Sequence, residues 1–313
     1  MLETGRRVDG ACGGCTRVRP ALASGHDPAR PSRTALGVAR RRAAHQLLDR
    51  PLILEDPLAL RIIGDDERRL LESRAGRRYP PNPDDHPAAR LLRAFVVARS
   101  RCAEEVLAAS GVRQYVILGA GLDTFAYRNP LPAVRVFEVD HPATQAWKRE
   151  SLAAARIPVP GGPDGVTFVP VDFDQQFLET ELERAGFDPD QPSVFAWLGV
   201  TMYLAEAAVW NVLDYILGRP AGSSVVFDYA RELPSLNPLE LAALGRLTDR
   251  VARAGEPWTA FFNPDTLNRG LRDRGAQLVV DLDGAAINAR WFAGRSDGLH
   301  VGGGIGRLIV AAT

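Results

Sequence analysis

Two glycines, two acids and their spacing carry the first chemical signal in this chain. An apolar run, VIL at 116–118, leads into Gly119-Ala120-Gly121-Leu122-Asp123. Backbone without Cβ atoms at two of three positions lets a ligand approach the main chain where a larger residue would collide with it. Nineteen residues past Gly121, a second apolar run ends in Glu138-Val139-Asp140. An acid at the tip of a second strand stands where it accepts hydrogen bonds from ribose hydroxyls, so Gly119, Gly121 and Asp140 read as residues binding a nucleoside cofactor. The role of Glu138 stays open.

The residues just after the glycines decide the kind of nucleoside. A dinucleotide fingerprint has a third glycine three residues after the second, and here that residue is Thr124. Asp123 puts a carboxylate where a pyrophosphate needs amide donors. A cationic sulfonium with its ammonium group suits that charge better, which points to S-adenosyl-L-methionine and adds Asp123 to the cofactor set. Asp123 also stands where it would cap a helix beginning at this point.

The hydropathy pattern supplies the elements that position these groups. Beta-rich apolar runs recur at 113–119, 134–140, 166–172, 193–199 and 223–229, with helical stretches between most of them. Near-continuous apolar strands separated by helices imply a parallel sheet covered on both faces, an α/β fold of Rossmann-like type. Two further runs, 276–282 and 306–312, complete seven strands. The last run has no helix after it and follows the turn-rich segment WFAGRSDGLHVGGG, so the last strand is expected to run antiparallel. Upstream, SRTALGVARRRAAHQLLDR has helical spacing behind a Ser/Thr cap, DPLALRIIG is a short second helix, and 88–110 is a long helix stopped by Gly111. Residues 32–110 therefore read as a helical cap, and the helical insertion at 230–264 as a lid over the carboxyl ends of the strands. Residues 1–31, rich in Gly, Arg and Pro without apolar period, read as a mobile arm outside a catalytic domain of 32–313.

Composition narrows the partners. Lys+Arg and Asp+Glu both number 38, a formal charge of zero, so no basic field marks a nucleic-acid binder. Three cysteines in 313 residues fit a reducing compartment, and no apolar run approaches a membrane span, so a cytoplasmic, membrane-free protein is expected. Cys12 and Cys15 form half a zinc site with His26 nearby; four ligands are not found, and no metal is expected. Oligomeric state has no readable signal.

The segments GAGLDTFAYR, VFEVDHP, VPVDF and FAWLGVTMYL together resemble the leucine carboxyl methyltransferase-like family of class I S-adenosylmethionine-dependent methyltransferases, and within it the actinobacterial branch, which also shares PSRTALGVA and EDPLA. The resemblance runs from about Ser32 to the C-terminus. It implies a class I methyltransferase sheet and assigns the glycine loop to the methionine moiety and Asp140 to the ribose. Asp172 with Phe173 would flank the adenine, Phe173 replacing the family's leucine. It also implies that an arginine before the first strand, Arg99 or Arg101, binds the cofactor carboxylate. Leu198 stands where the family commonly has Glu, and Cys102-Ala103 replace an aromatic pair. Tyr203, after the fourth strand, and His141 are the candidate catalytic residues, while Arg33 lies in the capping segment and His300 has no assigned role.

The function expected is methyl transfer to a small-molecule acceptor, on a carboxylate or hydroxyl oxygen. Two alternatives remain: an NAD(P)-dependent oxidoreductase, from the same glycines and strand-two acid, and a cofactor-binding protein without transfer activity, from Leu198.

Overall fold

The computed structural model describes residues 32–75, 82–162, 165–172, 176–233, 236–238, 241–242, 244–245, 248 and 257–313. The arm with Cys12, Cys15 and His26, the side chain of Arg33, Phe173, and 15 of the 35 residues of the expected lid fall outside the described residues.

Seven strands form one sheet among these residues: β1 (Gln114–Leu118), β2 (Arg135–Asp140), β3 (Val166–Pro170), β4 (Ser193–Trp197), β5 (Ser224–Ala230), β6 (Leu278–Leu282) and β7 (Gly306–Ala312). Their order is β3-β2-β1-β4-β5-β7-β6. The pairings through β5 are parallel, and β7 runs antiparallel to both β5 and β6, as its turn-rich approach implies. The strand order reverses between β1 and β4, which opens the crevice where such sheets bind ligands.

Alternation explains why the central strands are apolar throughout. Val116 and Leu118 face one core with Phe137, Phe195 and Phe227, whereas Tyr115 and Ile117 face another with Val136, Val194 and Val226. Every residue of β1, β4 and β5 is buried, while β3 at one edge and β6 at the other are partly exposed. Both faces of the middle strands are thus desolvated.

Among the described residues, four α-helices precede the sheet. α1 (Arg33–Leu48) starts at Ser32, whose hydroxyl accepts from the Ala35 N–H at 3.2 Å. α2 (Ala59–Ile62) and α3 (Asp65–Arg74) pack with α1; α3 is an element that the polar sequence did not reveal. α4 (Pro87–Ser110) begins with Pro87 at its first turn and stops at Gly111 with φ +69°. It packs between α1 and strands β4 and β5. The remaining helices used below are α5 (Pro142–Ala154), α6 (Leu178–Arg184) and α7 (Glu206–Leu217). No described helix is long and apolar enough to cross a membrane.

One expectation is corrected. The glycine loop does not enter an α-helix that Asp123 caps. The chain closes a tight turn, with Asp123 N–H donating to Ala120 O at 2.7 Å, and continues as a single 3-10 turn, Phe125–Tyr127. The Asp123 carboxylate takes the Phe125 N–H at 2.7 Å, so the side chain competes for the backbone donor that a helix would use.

Candidate active site

The glycine loop is built against the tip of β2. Val139 O accepts from both Gly119 N–H (2.9 Å) and Ala120 N–H (3.1 Å). Asp140 closes the arrangement: Oδ2 accepts from Gly121 N–H at 2.5 Å and Oδ1 from His141 N–H at 2.7 Å. Burial raises the Asp140 pKa, against the lowering effect of those two N–H groups. The glycines are required by the loop itself. Gly119 has φ +67° and Gly121 φ +45°, a region that L side chains rarely adopt. A Cβ on Gly119 would collide with the Val200 side chain, and one on Gly121 would lie 3.1 Å from Ala35 of α1. The space the glycines leave is therefore used by protein as well as offered to a ligand.

A buried ionic network ties α1 to this loop. Arg42, 3% exposed, donates to Asp123 Oδ2, to Asp56 Oδ2 at 2.7 Å and to Thr124 Oγ1 at 3.0 Å. Thr124 donates onward to Asp56 at 2.7 Å, and Arg128 pairs with Glu104 of α4. Burial lowers the Arg42 pKa, but Asp123, Asp56 and Glu104 outweigh it and the net shift is upward. Burial raises the Asp123 pKa, yet Arg42, Lys148 and Arg128 bring it down to about 2. Both partners are held ionised.

A second buried pair lies beneath the loop after β4. Arg99 of α4 meets Asp228 of β5 at 2.7 Å, and the other Asp228 oxygen accepts from Gly199 N–H at 2.6 Å. Gly199, with φ +75°, has no room for a Cβ, which would sit 2.6 Å from the Arg99 guanidinium.

Of these groups, Arg42, Glu104, Asp123, Arg99 and Asp228 line one cavity of about 1110 Å³ together with the glycine loop and Asp140. One end holds the glycine loop, Asp123, Asp140 and His141. Other stretches of its wall are apolar, with Leu91 and Phe95 of α4, Tyr203, Trp258, Val301 and Ile305. The volume exceeds the upper part of the usual range for a single small-molecule site, so a nucleoside donor and an acceptor fit together. The positive-φ cradle and the carboxylate at the β2 tip also fit a nucleoside donor.

A family model for leucine carboxyl methyltransferase matches residues 35–217. The chain belongs to the leucine carboxyl methyltransferase family. The Bacillus subtilis (strain 168) protein "Putative S-adenosyl-L-methionine-dependent methyltransferase YktD" is 32% identical over 288 residues, covering 86% of this chain and 93% of that one. A similarly named Mycobacterium sp. (strain KMS) protein is 35% identical over 242 residues, 73% of this chain and 75% of its own length. Among solved structures, one from Thermobifida fusca titled as a putative methyltransferase matches the fold with TM-score 0.52 at 17% identity, over 92% of this chain and 96% of its own. The resemblance drawn from the motifs therefore holds, as does the class I methyltransferase sheet.

In this leucine carboxyl methyltransferase family member the structure brings Gly119, Gly121, Asp123, Asp140, Arg99, His141 and Tyr203 to the cavity. Asp123 does not present an unmatched charge there; Arg42 takes it. Arg101 is corrected: it lies two residues from Arg99, on the outer face of α4, about half exposed and paired with Glu105 at 2.7 Å. Two residues along a helix turn a side chain about 200°, so the two arginines cannot share the cavity. Asp172 stands two residues beyond β3 and is not in the cavity wall; its N–H and C=O close a turn with Gln176. His141 is the N-cap of α5, its Nδ1 accepting from Ala143 N–H at 3.2 Å. Glu138 is fully buried outside the cavity wall and pairs with Lys148 at 2.7 Å while accepting from Tyr127 OH at 2.8 Å. His300 is exposed.

Sequence reasoning missed Arg42, Asp56, Asp228 and Trp258. Asp228 had a signal, a charge inside the apolar run VVFDYA. Arg42 is the third of three consecutive arginines, and only its phase with Ala39 and Ala43 on the buried face of α1 distinguishes it.

Proposed function

We propose that this S-adenosyl-L-methionine-dependent methyltransferase methylates an oxygen, on a carboxylate or an acidic phenol of a small molecule. One observation carries the choice of acceptor. Each described carboxylate in the cavity wall is already engaged: Glu104 by Arg128, Asp123 by Arg42, Asp140 by two N–H groups, Asp228 by Arg99. None is poised to remove a proton, which favours an acceptor that is nucleophilic as it arrives.

The donor, when bound, supplies an electrophilic methyl group on a sulfonium. The residues of this chain supply position. The backbone of Gly119–Gly121 would lie against the methionine part, and Asp140 would accept from the ribose while keeping its hold on Gly121. Arg99, steadied by Asp228, would face the donor's carboxylate; Asp123 contributes by bracing the loop. Such alignment of nucleophile, methyl and leaving group contributes about 7–11 kcal/mol to lowering a displacement barrier. Tyr203 on the acceptor side would orient, and His141 is committed to its helix. The same reading takes residues 32–110 as a cap, 230–264 as a lid and 1–31 as an arm outside the catalytic unit.

Calorimetric titration with the donor and its demethylated product, with both nicotinamide dinucleotides as controls, tests the cofactor assignment. Micromolar binding, about −8 kcal/mol, should collapse in Asp140→Ala. Labelled-methyl assays across carboxylic and phenolic acceptors test the chemistry, and transfer to neither class would sink it. Leu198 favours a second reading, donor binding without transfer. Turnover appearing only in Leu198→Glu would establish that reading, and turnover by the wild type excludes it.

A further inference from the structure

We propose that the indole N–H of Trp258 is the hydrogen-bond donor that holds one oxygen of the methyl acceptor, and that the acceptor is an apolar carboxylate. This rests on the methyl-transfer reading above and names the recognition group of the same site. Trp258 lines the cavity, and its Nε1 is buried with no hydrogen-bond partner among the described residues. A buried indole N–H ordinarily finds an acceptor. Two other tryptophans of this chain do so: Trp210 reaches Glu206 and Trp291 reaches Glu105, each at 3.2 Å.

The ring is held in place by its neighbours. Thr259 N–H donates to Met202 O at 2.7 Å and Thr259 Oγ1 to Leu204 O at 2.8 Å, fastening this segment to the turn after β4. The indole meets Tyr203 edge to face, with centroids 6.5 Å apart and planes at 79°. Phe261 lies on it at 6.3 Å. Tightly held by backbone and rings, the N–H cannot easily swing to another partner.

The apolar stretches of the same cavity wall decide what brings the missing acceptor. Leu91, Phe95, Val301 and Ile305 offer no side-chain oxygen, so a molecule that fits them is apolar in body. A carboxylate then satisfies the site in a way that a single hydroxyl does not: one oxygen takes the indole N–H, and the other keeps its lone pairs for the methyl group.

The test uses the full chain labelled with 15N-tryptophan and saturated with S-adenosylhomocysteine, titrated with cinnamate, 2-naphthoate and decanoate. Trp258→Phe, which keeps a ring and removes the N–H, assigns the signal. The expected result is a downfield move of the Trp258 indole proton with at least one acid, while the Trp210 and Trp291 signals stay. Trp258→Phe should bind S-adenosylhomocysteine normally and that acid about tenfold or more weakly. An unmoved indole signal with acid bound, equal affinity in the variant, or no binding of any of the three acids overturns the proposal. Phenol methylation in the last case would leave the methyl-transfer reading standing, whereas failure to bind S-adenosylhomocysteine would strike that reading instead.

Discussion

The glycine-loop end of the cavity and its apolar walls are built by opposite means. Around the glycine loop, backbone conformation and buried charge do the positioning: Gly119 and Gly121 in left-handed conformation, Asp140 bonded to the loop it faces, and Arg42 joining α1 to Asp123 and Asp56. On the apolar side, side-chain volume does it, with Leu91 and Phe95 pressed onto the glycines that lead into β7. That contrast identifies the part of the site that can drift. Buried ions are tolerated only as complete sets, because removing one partner leaves an uncompensated charge. Apolar walls accept volume-conserving exchange at small expense.

Gly119→Ala is the strongest challenge to this contrast. A left-handed φ and a collision with Val200 should together destabilise the protein by roughly 3 kcal/mol and abolish donor binding, read by thermal melting and calorimetry. Adding Val200→Ala should recover the packing part and leave the conformational part. A variant that melts and binds like wild type would show that the loop is not conformationally demanding.

Asp123→Asn probes the ionic half. The folded pKa of about 2 lies below the ordinary value of 3.8, so its stabilisation is complete above pH 4 and is lost as pH falls toward 2. The shift corresponds to about 2 kcal/mol at neutral pH. The variant should lose that amount at pH 7, and its melting temperature should fall less steeply than wild type between pH 4 and pH 2. The buried Asp49, also held near 2 by His45 and Arg93 against its desolvation, keeps a residual slope in both. Parallel pH profiles would remove the network from the account.

The smallest effect belongs to the apolar side. In Gly302→Ala the new Cβ would lie 2.7 Å from the tips of Leu91, a side chain with room to rotate. A loss of about 1 kcal/mol is expected, with unchanged donor affinity and a raised acceptor KM. A fall in donor affinity would mean that the two parts are mechanically one.

Much of this was legible because it is local or periodic. Near-continuous apolar runs placed the strands, the turn-rich approach oriented β7, and Gly111 and Ser32 bounded their helices. The glycine pair and the β2 acid stood out through spacing alone, and the structure brings all three to one cavity. Legibility ended where one residue's meaning depended on another far along the chain. Arg99 and Arg101 look alike in sequence, and only the docking of α4 on β4 and β5 turns one inward onto Asp228 and leaves the other with Glu105 in solvent. Asp123 looked like a helix cap or a cation's partner until α1 brought Arg42 to it across 81 positions. Asp172 sat at a strand end like Asp140, yet the cavity wall does not include it.

Residue type and short-range spacing were thus enough for the sheet and its strand types, and the resemblance of a few motifs was enough for the family to which the chain belongs. Packing was needed to settle which charges are paired, which arginine enters the cavity and which indole lacks a partner. Burial makes a charge or an N–H demanding, and burial is a property of the elements packed around a residue.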